Sequence, residues 1–140
     1  GTFYIASVDS HVNAAKELVL NGQSKIFFSG YTSILSGVDF QKIKYFAPVD
    51  NHLVEGYYQV LSVEAKDMSE VLAKEKAEAK GQAKNYKGYD KPIRICLKLG
   101  EYTLLSSPFV YGLDSNASKG IAMTRKEFKE YCKKINVTYN

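Results

Sequence analysis

Tryptophan is absent from this chain of 140 residues, and cysteine, histidine, methionine and proline are scarce. The two cysteines, Cys96 and Cys132, are too few for a disulfide framework, and the chain contains no C-x-x-C pair of the kind that binds zinc. The chain has only three prolines, and 45% of its residues are hydrophobic. This composition excludes a proline-rich or disordered chain. The composition predicts a globular protein, and it gives no reason to expect a cofactor or a resident metal ion.

Long hydrophobic runs are also missing. No stretch approaches the roughly 18 apolar residues that a membrane-spanning helix requires. The first ten residues have neither the basic start nor the apolar run of a secretory signal peptide. We therefore expect a cytoplasmic protein that does not associate with membranes. The length corresponds to one domain, which we expect to cover residues 1–140.

Positive charge is unevenly distributed along the chain, although the formal net charge is only +4. Residues 1–73 contain five lysines and eight acidic residues, whereas residues 74–98 contain eight basic and three acidic residues. Residues 119–140 add six basic and two acidic residues. Clustered basic residues are typical of proteins that bind polyanions, because the phosphates that they neutralise release counterions. A lysine-rich helix with its charges in solvent is the alternative explanation.

Hydrophobic periodicity predicts short strands interleaved with three helices. The expected strands lie at residues 2–8, 25–29, 42–46, 57–65, 92–99 and 102–105, with loops or turns at 30–39 and at Gly100. Helices are expected at 10–21, after Asp67 or Ser69, and after the capping box Thr124–Glu127. Closely spaced short strands with few long crossovers favour a small, mostly antiparallel β-barrel. The predicted fold class is therefore α+β, with about three helices flanking the barrel.

The order of these elements resembles a known family. The segment YIASVDSHVNAAKELVLNGQSKIFF contains a strand, a helix, an Asn-Gly turn and a lysine before the next strand. The segments KYFAPVDNHLVEGYYQVLSVEAKD and PIRICLKLGEYTLLSSP have the pattern of paired strands and of a later strand. Over about residues 2–110 the chain resembles ASCH domains, which belong to the PUA-like superfold of small β-barrels. The resemblance implies a barrel that binds RNA or modified bases in a cleft beside it.

The charged residues of the ASCH pattern are only partly matched. Lys25 corresponds to the family's lysine, one position late after Gly22. Phe27 and Phe28 occupy the region of its glutamate, and Gly30 that of its arginine. Because enzymatic members rely on this charged set, the resemblance implies binding rather than catalysis.

Two aromatic segments offer the groups that hold an unpaired or flipped base. Stacking on an aromatic ring contributes about 1–3 kcal/mol per base, and lysine or arginine contacts the phosphates. The first segment is FFSGYTS at 27–33, on a glycine-containing loop, and the second is KIKYF at 42–46. The predicted ligand-binding residues are Lys25, Ser29, Tyr31, Lys44, Tyr45, Tyr57 and Arg94. Tyrosines that close the end of a barrel are the alternative explanation for each ring.

Two further hypotheses belong to other classes of protein. Asp50 precedes Glu64-Ala65-Lys66 by fourteen residues, which is similar to the PD-(D/E)xK nuclease signature, in which two carboxylates hold a divalent metal and a lysine activates water. Alternation along a strand places Glu64 and Lys66 on the same face. Asp50, however, stands one residue further from the proline than the signature requires, and Asp50-Asn51-His52 is typical of a turn. The other hypothesis is a protein-interaction domain whose aromatic residues are all structural.

Overall fold

The computed structural model describes residues 1–7, 26–31, 40–49, 51–85, 87–90, 92–112 and 122–139. The strands are β1 Thr2–Ser7, β2 Ile26–Tyr31, β3 Ile43–Val49, β4 Leu53–Asp67 and β5 Ile93–Val110. The helices are α1 Ser69–Glu78 and α2 Arg125–Lys134, and short 3₁₀ segments lie at Phe40–Lys42, Gly81–Asn85 and Lys87–Asp90.

A single five-stranded sheet organises these elements in the order β1-β3-β4-β5-β2. Three pairings are antiparallel, and β1 runs parallel to β3. The predicted α+β class is confirmed. Within the described residues no pairing joins β1 to β2, so the sheet is open at these edges and is not closed into the predicted barrel. Two of the three expected helices are present, and the one expected at 10–21 lies outside the described residues.

Gly100 lies inside a strand rather than at a turn. We predicted separate strands at 92–99 and 102–105, but β5 continues through both of them. The pairing of β4 with β5 shifts on both sides of Val60, which lies opposite Leu99. Such bulges bend a strand and increase its twist while the ladder continues on either side. The glycine therefore marks a bend in one long strand, and the predicted turn was wrong.

A tight turn at Asn51 and His52 joins β3 to β4. Both residues have positive φ, 48° and 65°, as the two central residues of a type I′ hairpin turn do. Asparagine adopts this left-handed conformation more readily than most residues because its short polar side chain can bond locally. The turn predicted from Asp50-Asn51-His52 is thus present at its two described positions.

The sheet carries two hydrophobic clusters. In the first, α2 packs on the strands through Phe128 and Cys132, which contact a region that includes Phe3 and Phe109. The second cluster contains Ile43, Phe46, Tyr58, Ile95, Leu97 and Leu99. Alternation within the strand at 92–99 predicts that Ile93, Ile95, Leu97 and Leu99 all point inward. The last three do so, but Ile93 is 44% exposed because it lies at the end of the ladder, opposite Asp67.

The start of α2 is set by the predicted capping box. The backbone N–H of Glu127 donates to Thr124 Oγ1 at 3.2 Å, and the Thr124 hydroxyl donates to Glu127 Oε1 at 3.0 Å. A capping threonine satisfies one of the N–H groups that the first turn of a helix leaves free. Among the described residues, no helix is long and apolar enough to cross a membrane.

The raised pKa of Tyr4 on β1 makes the free energy of unfolding depend on pH in the alkaline range. Burial, with a smaller contribution from Tyr111, raises its pKa from 10.0 to about 12. Because the folded protein holds this proton more tightly than the unfolded chain, the stability from Tyr4 is complete below about pH 10 and is lost as the pH rises toward about 12. We expect the free energy of unfolding of Tyr4→Phe, measured by urea denaturation, to fall less steeply than that of the wild type over this pH range.

Ser62, which is exposed on β4 and has no titrating side chain, serves as the control for this experiment. Ser62→Ala is expected to keep the wild-type alkaline slope. Equal slopes for Tyr4→Phe and the wild type would contradict the assignment of this proton to Tyr4.

Candidate nucleic-acid interface

Lys44 and Tyr45 lie at an irregularity in the pairing of β3 with β1. Thr2 pairs with Ile43 and Phe3 with Tyr45, so Lys44 is an extra residue on β3. The Lys44 side chain is exposed, and its ammonium group lies 5.5 Å from the centre of the half-buried Tyr45 ring. Sequence analysis predicted this pair as part of the ligand site, and the structure brings the two side chains together at the protein surface.

Behind Tyr45 the rings belong to the core. The ring of Tyr57 lies 5.0 Å from that of Tyr45, edge to face, and 5.2 Å from that of Phe3. The Tyr57 side chain is only 5% exposed, and its hydroxyl forms a 2.7 Å hydrogen bond with the hydroxyl of Tyr131 on α2. Tyr57 therefore joins α2 to the sheet, and it does not offer its ring to a ligand from solution.

Tyr131 stays protonated at physiological pH. Burial, followed by the hydrogen bond that it shares with Tyr57, raises the pKa of Tyr131 well above its usual value. A neutral phenol next to a second phenol donates and accepts hydrogen bonds but is not a general base near neutral pH. Tyr131 therefore does not provide a base beside Tyr57 near neutral pH.

The other predicted ligand residues do not join this pair. Lys25 lies outside the described residues. Ser29 and Tyr31 lie on β2, so the chain at 30–31 belongs to a strand and not to the expected loop; their side chains are outside the description. Tyr31 pairs with Arg94 on β5, and β2 is an edge strand that is separated from β3 by β4 and β5. The Arg94 side chain is fully buried, so it does not form part of the accessible surface.

The residues of the nuclease hypothesis are not assembled among the described part of the chain. Lys66 Nζ lies 3.0 Å from Glu64 Oε1, and this hydrogen bond raises the pKa of Lys66. Asp50 lies outside the described residues, but its neighbours Val49 and Asn51 lie at the hairpin end of β4. Glu64 follows the start of β4 by eleven residues, which corresponds to about 35 Å in a straight strand. In the described ranges no three His, Cys, Asp or Glu side chains are grouped as metal ligands.

Neither cysteine has the properties of a nucleophile. Burial raises the pKa of the Cys96 thiol, and the nearby Lys66 only partly offsets this effect. Burial also raises the pKa of Cys132 to about 11. Because the thiolate is the reactive form, both cysteines act as small core residues.

The lysines of the 74–98 segment that lie on α1 are dispersed. In α1, Lys74 and Lys76 alternate with Glu70, Glu75 and Glu78, so this helix contains more acidic than basic residues. At 100° per residue, Lys74 and Lys76 lie on nearly opposite sides of the helix. The surface groove at the start of α1 is lined by Asp67 and Glu70, which repel phosphate. The segment that sequence analysis singled out for its charge therefore does not form one basic face in its helical part.

The concentrated positive charge lies instead on α2, within the basic segment 119–140. All five of its basic side chains are exposed, namely Arg125, Lys126, Lys129, Lys133 and Lys134. The signal in the sequence was the spacing of these residues, because positions three and four apart share a helix face.

A scan of the sequence against protein-family models finds no match, and a search of the curated proteins finds none either.

Proposed function

We propose that this protein is a nucleic-acid-binding module that holds RNA, or a modified or flipped base, at the surface around Lys44 and Tyr45. The observation that carries the proposal is the exposed Lys44 ammonium group beside the half-buried Tyr45 ring. A nucleotide needs a cation for its phosphate and an aromatic surface for its base, and this pair supplies both. Because Lys44 is long and exposed, it can turn from the ring to a phosphate while the backbone stays in place.

The proposed fold behind this function is of PUA-like, ASCH type, with three helices flanking a sheet that is open between β1 and β2 in the described residues. It is supported by the order of the elements and by a sheet in which most pairings are antiparallel. The helix expected at 10–21 would be the third helix. A cytoplasmic location and binding without catalysis belong to the same proposal.

A protein-interaction domain without a nucleic-acid ligand is the second candidate. The burial of Tyr57 and Arg94 favours it, because these two side chains contribute to the interior and not to a binding surface.

Substitution of Tyr45 and Lys44 tests the proposed site. Tyr45→Leu retains an apolar side chain but removes the ring, and we expect it to weaken binding to a short single-stranded RNA by about tenfold, since stacking contributes about 1–3 kcal/mol per base. Lys44→Gln is expected to weaken binding less and to lower the salt dependence by about one charge. Fluorescence anisotropy with single- and double-stranded RNA and DNA, measured across a salt series, provides both quantities.

Two matched variants control for nonspecific effects. Tyr111 is half-buried against the same cluster, so Tyr111→Leu removes a comparable ring from another position. Lys98→Gln removes an exposed charge on β5, outside the segment 42–46 that contains the proposed site. Equal losses in the test and control variants would overturn the site, and no binding by the wild type at low salt would favour the interaction domain. Cleavage that requires magnesium and is lost in Glu64→Ala would instead establish the nuclease.

A further inference from the structure

The side of α2 that faces away from the core carries three lysines. Phe128 and Cys132 are buried and fix the orientation of the helix against the sheet. Lys126, Lys129 and Lys133 are spaced three and four residues apart, which places them within a sector of about 60° on the exposed side. We call these three residues the α2 basic face. Arg125, also exposed, lies at its edge.

The two glutamates of α2 leave most of this charge uncompensated. Glu127 is engaged at the start of the helix, where its carboxylate accepts from the Thr124 hydroxyl. Glu130 lies 3.4 Å from Lys133, and both side chains are largely exposed. Exposed ion pairs of this kind contribute little and are weakened by salt. With five basic and two acidic residues, α2 has a net charge of +3.

The length of the α2 basic face fits a run of phosphates. Lys126 and Lys133 are seven residues apart, which corresponds to about 10 Å along a helix. One strand of a B-form duplex carries a phosphate about every 3.4 Å of duplex axis, so a face of this length spans about three phosphates when α2 lies parallel to that axis. A charged helix face of this length is complementary to the backbone of a nucleic acid, whose phosphates are recognised without reference to base sequence.

We propose that the α2 basic face is a second nucleic-acid contact, which binds the phosphodiester backbone of a duplex irrespective of its sequence. The inference rests on the proposed function, because its ligand is a nucleic acid, but it depends on residues distinct from Lys44 and Tyr45. In this proposal the lysines of α2 attract the phosphates, and the lysine-rich segment around α1 does not.

The test compares two triple variants that remove the same charge. Lys126→Gln/Lys129→Gln/Lys133→Gln neutralises the α2 basic face, and Lys74→Gln/Lys76→Gln/Lys84→Gln neutralises three exposed lysines of the other segment. The probe is a fluorescent 20-base-pair DNA duplex, measured across a salt series, together with a duplex of scrambled sequence. We expect the α2 variant to lose at least about tenfold in affinity, with a salt slope smaller by about 2–3, equally for both duplexes. The control variant is expected to change affinity by less than about threefold, the loss that a reduced net charge alone causes.

The outcomes separate this inference from the proposed function. Equal losses in the two triple variants, or no loss in the α2 variant, would overturn the inference. If single-stranded RNA binding still depended on Tyr45 in that case, the proposed function would stand without it. If the wild-type protein does not bind the duplex at any salt concentration, the inference is overturned. If it binds no nucleic acid at all, both the inference and the proposed function are overturned. Because all six substituted side chains are exposed, we expect each variant to fold as the wild type does. Circular dichroism of each variant checks that its helix content is unchanged.

Discussion

Phe128→Ala is expected to lower the free energy of unfolding by about 3–5 kcal/mol, the usual cost of removing a buried phenylalanine ring. The Phe128 side chain is fully buried and stacks on Phe109 with ring centroids 4.2 Å apart. Its edges meet Phe3 and Tyr139 at 5.2 and 5.1 Å. Truncation leaves a cavity between α2 and the sheet that the surrounding rings are too rigid to fill. Since a domain of this kind has about 5–15 kcal/mol of stability in total, the variant is expected to be marginal.

Equilibrium denaturation by urea measures this loss, with Phe128→Leu as the matched variant. Leucine retains much of the apolar volume, so it is expected to cost well under half as much. A loss below about 1 kcal/mol in Phe128→Ala would contradict the packing of α2 against the sheet. It would also weaken the inference about the α2 basic face, since Phe128 determines which side of the helix is exposed.

Gly56→Ala is expected to destabilise the protein by about 3 kcal/mol, the upper part of the range for overpacking. Gly56 is buried in β4 opposite Leu104, and the side chain of Tyr102 occupies the space where a Cβ would lie. A Cβ at this position would also come within 2.6 Å of the Thr103 carbonyl oxygen. Because that oxygen belongs to the neighbouring strand, the clash can be relieved only by moving β5.

Gly100→Ala provides the comparison, since it makes the same chemical change in β5. The nearest atom to a Cβ at Gly100 is Leu61 Cδ2 at 3.0 Å, and Leu61 is 54% exposed and free to turn away. We therefore expect a cost of about 1 kcal/mol or less. Thermal or urea unfolding of the two variants in parallel tests the difference. Similar losses at both glycines would mean that the close approach of Tyr102 to β4 is not as described.

The aromatic residues show how far the sequence predicted the site. Residue type alone gave Tyr45 and Tyr57 equal standing as candidates for base stacking. In the structure Tyr45 is half-buried beside Lys44, whereas the Tyr57 hydroxyl is bonded to Tyr131, a residue 74 positions away. No local pattern distinguishes these two tyrosines, because their exposure depends on where α2 packs.

Arg94 shows the same limit for charged residues. Alternation along β5 placed it on the face opposite Ile95, where an arginine is normally exposed. Both faces of the sheet are covered at this point, and the side chains of Arg94 and Cys96 are buried along with Ile95. The alternation was predicted correctly, but Arg94, which we predicted as a ligand-binding residue, is not accessible to a ligand.

Features that depend on near neighbours were determined by the sequence itself. These include the alternation of Ile95, Leu97 and Leu99, the Thr124–Glu127 capping box and the turn at Asn51 and His52. Each depends on backbone conformation or hydrogen bonds within a few residues, so the local sequence specifies it. The order of strands in the sheet and the burial of Tyr57 and Arg94 were decided only by the tertiary structure. These features depend on which distant segments pack together, and the burial of Phe128 against Phe3 and Phe109 sets the outcome for α2.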